Sequence, residues 1–151
     1  ENDLIKLPSQ KRAYLSIGYM PEDRKVIPSM SAEENILTPV WATNILDWKK
    51  RLEWIYKIIP EALELKDRPS TSLSGGQQKL IALSRALMVG SKLLLLDEPS
   101  EGIAPALTKR IIDILNDLKK EGVTTLIAES NASHYEGMLD KSFVIERGQV
   151  K

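Results

Sequence analysis

An α/β fold built on a parallel sheet, with a small α-helical insert, is what three stretches of this sequence predict. Leu93-Leu94-Leu95-Leu96-Asp97-Glu98-Pro99 runs four leucines into two carboxylates and a proline, the composition of a strand buried on both faces of a parallel sheet. Downstream, apolar-periodic helix candidates alternate with short β-branched runs, the strand–helix–strand–helix–strand order of a doubly wound sheet. Upstream, Leu73-Ser74-Gly75-Gly76-Gln77-Gln78 is a polar, glycine-rich turn followed by Leu80, Leu83 and Leu87 at helical spacing.

Taken in order, Glu1 to Arg12 is charged, contains Pro8 and reads as a surface segment with at most a turn of helix. Ala13 to Met20 reads as a strand that Pro21 stops. Ser31 followed by Glu34 has the capping-box form and predicts a helix start. Between Thr38 and Glu64 lie Trp41, Trp48 and Trp54 among basic residues. Asp47 is placed to cap a helix carrying Trp48, Leu52, Ile55 and Ile59 on one stripe, and Pro60 ends it. The aromatic residues are either the insert's own core or part of a docking patch for a partner. Pro105 opens a helix with the stripe Leu107, Ile111, Ile114, Leu115 and Leu118, closed at Gly122. Val123–Ala128 predicts a second buried strand, Asn131 caps a helix over Ala132–Leu139, and Ser142–Glu146 predicts a further strand turned by Arg147-Gly148.

Composition limits the function classes. A chain of 151 residues can bury a real core. Lys+Arg and Asp+Glu are both 21, so no net field favours nucleic acid. Without cysteine and with a single histidine, thiolate and polyhistidine metal sites are excluded. No apolar run approaches the ~18–20 residues that span a bilayer, and no signal-peptide pattern opens the chain. Residue 1 is Glu rather than Met, and the chain reads as a piece of a larger protein.

Two motifs carry chemistry. Ser74 is a helix N-cap type, the adjacent glycines clear Cβ atoms from the backbone amides, and a helix start with bare N–H groups attracts anions. Carboxylates at the C-terminal edge of a parallel strand sit where open α/β sheets bind ligands, so Asp97 could hold Mg²⁺ and Glu98 could polarise a water. A phosphate-wrapping G-x-x-x-x-G-K-[ST] loop is absent: none of the eight glycines is followed by lysine.

In this order and spacing the two motifs resemble the ABC-type ATPases, Ser74–Gln78 matching their signature loop and Asp97–Glu98 their Walker B strand. The resemblance implies a P-loop-NTPase-like (ABC ATPase) core missing its N-terminal part: residues 1–27 and 91–151 form a partial ATPase core and 28–90 an α-helical signature subdomain. It also implies ATP and Mg²⁺. Ser74, Gly75, Gly76 and Gln77 would contact a nucleotide held by a second ABC ATPase subunit. Glu98 would be the general base and Asp97 a metal ligand on the chain's own nucleotide. The string Met20-Pro21-Glu22-Asp23-Arg24 places Glu22 in the loop that senses Mg²⁺ and the transmembrane permease subunits. Ser130 falls at the switch position, where most members have histidine; His134, four residues on, is a weaker substitute. Arg85 fits the family's R-A-L string and reads as structural, while Leu80 departs from an arginine. Met20–Arg24 and Ser100-Glu101-Gly102-Ile103-Ala104-Pro105 are similar to the ATPases of branched-chain amino acid importers. The resemblance thus implies an importer subunit, peripheral on the cytoplasmic membrane face, with no nucleic-acid partner. These residues alone are expected to be inactive. The alternatives are a soluble ABC-type ATPase of translation or DNA repair, or a non-catalytic interaction fragment.

Overall fold

The computed structural model describes residues 4–43 and 45–151. One helical turn, α1 (Ser9–Arg12), runs into a 3₁₀ turn at Ala13–Leu15, and strand β1 is only Ile17–Met20. The strand expected over Ala13–Met20 is therefore half as long. Ser16 takes a left-handed φ of 61°, which breaks the extended backbone before it.

A helical block follows: α2 (Ala32–Thr43), α3 (Trp48–Ile58), α4 (Pro60–Glu64) and α5 (Gly75–Val89). The Ser31 capping box forms, with Ser31 N–H donating to Glu34 Oε2 at 2.7 Å and Glu34 N–H to Ser31 Oγ at 3.2 Å. Helix α2 continues through Pro39. Proline has no N–H for the Asn35 carbonyl four residues back, and the Thr38 hydroxyl fills that acceptor at 2.9 Å. Asp47 stands at the N-cap position of α3 but makes no capping bond, because its φ of −93° and ψ of 26° lie outside the extended region a cap needs.

Trp48 and Trp54 are half-buried against the core, whereas Trp41 is 57% exposed. Trp54 has a second duty. The Arg51 guanidinium stacks 4.1 Å from its ring centre and donates to the carbonyls of Leu87 (2.9 Å) and Gly90 (3.0 Å), closing the C-terminal end of α5.

Helix α5 packs on α2 on one side and on β1 on the other, so Leu80, Ile81, Leu83, Leu87 and Met88 are buried around its whole circumference. Gly18 makes the strand contact possible, since a Cβ there would meet the Ala86 carbonyl oxygen at 2.2 Å. Strand β2 (Leu93–Asp97) then pairs in parallel with β1 (Ile17↔Leu93 to Met20↔Leu96) and with β3 (Thr124–Ala128), giving the order β1-β2-β3. Helix α6 (Pro105–Lys120) lies between β2 and β3 in sequence and buries Ile111, Ile114, Leu115 and Leu118, as its stripe predicts.

The sheet departs from the expectation of strands buried on both faces. Met20, Leu94 and Leu96 are buried on the face that α5 and α6 cover, but Tyr19 and Leu126 on the other face are 56% and 58% exposed. Strand β3 is accordingly an edge, not a buried strand. Downstream, the helix expected over Ala132–Leu139 is a 3₁₀ turn, Ala132–Tyr135, with the Asn131 side chain accepting from Ser133 N–H at 3.1 Å. The last predicted strand does not join the sheet. β4 (Ile145–Glu146) and β5 (Gln149–Val150) make an antiparallel hairpin whose two turn residues, Arg147 and Gly148, both have positive φ, the geometry that suits a tight hairpin. Among the described residues no helix is long and apolar enough to cross a membrane.

Candidate functional site

The glycine-rich turn is built from contacts within four residues. Ser74 adopts the extended conformation of an N-cap (φ −63°, ψ 160°), its Oγ accepts from Gln77 N–H at 3.3 Å, and Gln77 Oε1 accepts from Ser74 N–H at 3.0 Å. Gln77 is thus committed to the cap. The first-turn N–H groups of Gly75 and Gly76 have no intrahelical acceptor by position, and the helix dipole adds positive potential there. Ser74 is exposed, and Gly75 to Gln77 are half-buried.

The glycines also answer to the chain's own packing. A Cβ at Gly76 would meet Leu107 Cδ2 at 2.3 Å, so the missing side chain lets the start of α6 close on the start of α5. A Cβ at Gly75 would lie 2.9 Å from Arg24 Nη1. Arg24 reaches that position because the loop after β1 is gripped from α5. Arg24 and Lys25 have φ of 61° and 45°, and the Arg85 guanidinium donates to both of their carbonyls, to Lys25 at 2.7 Å. Arg85 is structural in this sense, as its place in the sequence suggests.

The acidic tip of β2 is assembled from distant parts of the chain. Tyr19 OH donates to Asp97 Oδ2 at 3.2 Å. Burial, the bond to Asp97, and the charges of Asp97, Asp23 and Glu22 push the Tyr19 hydroxyl upward. Glu22 itself is exposed on the loop after β1 and reaches this cluster as a charge. Glu98 has a left-handed φ of 44°; its N–H donates to the Ala128 carbonyl at 2.9 Å, extending the β2–β3 ladder by one bond.

The Glu98 carboxylate accepts from Ser130 N–H at 2.8 Å and from the Ser130 hydroxyl at 3.4 Å. A second carboxyl, Glu129, lies beside it. The hydrogen bond to Glu129 pushes Glu98 up, burial and the Glu129 charge add to this, and the Ser130 bonds oppose it. Burial pushes Glu129 up as well, but bonds from Ser100, Glu98 and Tyr135 outweigh it and hold Glu129 below the usual carboxylate range. The donors are Ser100 N–H (3.0 Å), Ser100 Oγ–H (2.6 Å) and Tyr135 OH (3.1 Å), all on Glu129 Oε1. Glu129 thus raises the proton affinity of Glu98, while the Ser100 and Tyr135 donors keep Glu129 itself the more acidic of the two.

The structure brings Asp97, Glu98 and Ser130 together at the ends of β2 and β3, with Glu22 acting at longer range. His134 is exposed and lines a shallow depression with Ile103, Pro105 and Thr108, and it is not among the groups that bond Glu98. Sequence reasoning missed Glu129, Tyr19, Tyr135 and Lys79. Glu129 carried a usable signal, because it sits next to Ser130 at the end of the run Val123–Ala128 that reads as a strand. For Mg²⁺ the donor chemistry fits an ion held mainly by water and substrate phosphates. Asp97 offers a carboxylate at the strand tip, and among the described residues no group of three or more acidic, histidine or cysteine side chains forms a complete cage.

Comparison with known proteins agrees with the parallel-sheet fold. The family model described as "ABC transporter" matches residues 2–101. The chain is 35% identical over 148 residues to the high-affinity branched-chain amino acid transport ATP-binding protein BraG of Pseudomonas aeruginosa, covering 98% of this chain and 64% of that protein. It is 32% identical over 152 residues to the lipopolysaccharide export system ATP-binding protein LptB of Acidithiobacillus ferridurans, covering 99% of this chain and 63% of that one. It thus spans less than two thirds of the length of these relatives. Among solved structures, the ADP conformation of an ATP-binding cassette of an ABC transporter superposes with a TM-score of 0.82 at 25% identity, over 100% of this chain and 65% of that one. A nucleotide-free ATP-binding cassette gives 0.81 at 25% identity, over 99% of this chain and 64% of that one.

Proposed function

Because the chain belongs to the ABC transporter family, we propose that it is part of the ATP-hydrolysing subunit of a transporter, with Glu98 as the general base. The observation that supports this most is the setting of Glu98. It stands beside Asp97 at the open tip of β2, with its carboxylate oriented by Ser130 and its proton affinity raised by Glu129. In the reaction proposed, Glu98 accepts a proton from water as the water oxygen bonds the γ-phosphorus. The bond between that phosphorus and the bridging oxygen breaks, leaving ADP and phosphate. Asp97 would hold Mg²⁺, whose role when bound is to neutralise phosphate charge, and Glu22 would act on the same region from the loop after β1. Ser130 serves as orienter of the base.

The turn at Ser74–Gln77 would meet ATP held by a second such subunit in a head-to-tail pair, with the amides of Gly75 and Gly76 directed at phosphate. Residues 1–27 and 91–151 would move as the ATPase core and 28–90 as the signature subdomain. The Glu22 loop and the helices around the exposed Trp41 would receive the permease subunits at the cytoplasmic membrane face. Since this sequence carries no G-x-x-x-x-G-K-[ST] loop, these 151 residues alone are expected not to turn ATP over. Branched-chain amino acids or similar small solutes are the cargo we favour, on the Met20–Arg24 and Ser100–Pro105 strings and the identity to the P. aeruginosa protein. The lipopolysaccharide-export relative supports a second cargo class, and uptake of labelled leucine by cells with and without the whole protein separates the two.

The function itself is tested by Glu98→Gln in the whole protein. Steady ATP turnover should fall by at least ~100-fold while nucleotide binding is retained, the pattern of a group that acts in the transition state. Wild-type turnover in that variant would remove Glu98 from the role.

A further inference from the structure

Lys79 is the only charged side chain among the buried described residues, at 1% relative exposure. It lies on α5, five positions beyond the cap Ser74, and its Nζ donates to the backbone carbonyl of Glu98. Burial and the charge of Arg24, from the loop after β1, disfavour its ammonium form. Glu129, Glu101 and Glu98, from the ends of β3 and β2 and the turn after β2, favour it.

Such a side chain is an odd choice for stability alone. Taking an ammonium out of water costs several kcal/mol before any partner is found, and replacing buried charge with an apolar group of similar volume is often neutral or stabilising. The bond it makes has a specific target. Glu98 holds a left-handed φ of 44°, a conformation that persists only where surrounding contacts enforce it. Ala128 fixes the N–H of that residue, Ser130 fixes its carboxylate, and Lys79 fixes its carbonyl. Lys79 is the one tether of the three that comes from the helix begun at Ser74–Gly76.

We propose that Lys79 is a positioning residue, which ties the helix of the glycine-rich turn to the backbone of Glu98 and so sets the direction in which the Glu98 carboxylate is presented. This inference rests on the proposed role of Glu98 as base. In a head-to-tail pair the two ends of the tether would serve different nucleotides.

The test compares Lys79→Met, Lys79→Gln and Glu98→Gln in the whole protein, reading kcat, KM for ATP and the thermal midpoint together. Lys79→Met should lower kcat by about ten- to a hundredfold, as expected when a reacting group is displaced by a fraction of an ångström to about one. KM should stay within about threefold, the sign that ground-state binding is intact. The thermal midpoint should be unchanged or raised. Lys79→Gln, which restores a donor, should recover part of kcat. In the whole protein, amide exchange at Glu98 should accelerate in Lys79→Met while the centre of α5 stays protected. Unchanged kcat in Lys79→Met overturns the inference. So does a parallel fall in kcat and midpoint, or a Lys79→Met chain that does not fold, because each makes the lysine a structural residue. Full turnover in Glu98→Gln overturns the proposed function instead, whatever Lys79 does.

Discussion

The glycine-rich turn and the acidic tip of β2 are held in place by opposite means. At the turn, Ser74 and Gln77 satisfy each other across three positions, so the cap's hydrogen bonds need no residue from elsewhere in the chain. At the tip, Glu98 depends on residues 19 to 32 positions away: Lys79, Ala128 and Ser130. The cap of the turn is therefore a local feature, with Ser74 open to solvent. The tip is a tertiary feature that exists only when α5, β2 and β3 are packed. A recognition element can be preformed and exposed, while a base must be aimed to within a fraction of an ångström, and more contacts are needed to aim it.

The comparison sets an order of mutational cost. Glu129→Ala, which leaves the Ser100 N–H, the Ser100 hydroxyl and the Tyr135 hydroxyl without their acceptor, should cost about 2–3 kcal/mol, in the range for orphaned buried donors. Urea unfolding of the 151-residue chain measures it. Ser74→Ala removes one cap acceptor and should cost about 1 kcal/mol, with helix α5 otherwise intact by circular dichroism. If the order of these two were reversed, the tip would be the locally held region and the contrast would fail.

The smallest effect is expected away from both regions, at the two-pronged pair that joins α6 to α4. Arg110 Nε and Nη2 donate to Glu61 at 2.5 Å and 3.0 Å. Both side chains are about one third exposed, so solvent screening limits Glu61→Gln to about 0.5–1 kcal/mol at neutral pH. The bond to Arg110 holds the folded Glu61 carboxyl below its unfolded value, against burial. Its contribution is therefore present above the unfolded value and is lost as pH falls through the folded one. Wild type and Glu61→Gln should converge in urea stability below the carboxylate range, and a gap that persists there would assign the loss to packing instead.

The same division explains what was legible in the sequence. The Ser31–Glu34 capping box, the Ser74 N-cap, the α6 stripe and the parallel strand ending in Asp97-Glu98 are short-range patterns, and each appears in the structure where the residues put it; the reciprocal bond to Gln77 Oε1 emerges only in the structure. The misses are non-local. Ser142–Glu146 has strand composition, but only Ile145-Glu146 pairs, and with Gln149-Val150 across the Arg147-Gly148 turn rather than with the three-stranded sheet. Leu126 belongs to a run that reads as buried, yet a strand's burial depends on what covers each face of its sheet. Lys79 follows two glutamines and looks like a surface lysine, and only the approach of α5 to the β2 tip shows where it points.

The most direct measurement of the central claim, that the turn serves one subunit's nucleotide and the tip another's, is a mixing assay. One batch of the whole protein carries Glu98→Gln and the other Gly75→Asp, which places a carboxylate where phosphate is to bind. Each alone should be inactive. If the turn acts across the pair, both lesions in a mixed dimer fall on the same site and the other site is whole, so mixing restores ATP turnover. If the turn acts on its own chain's nucleotide, both sites of the mixed dimer are damaged and the mixture stays inactive, which contradicts the account.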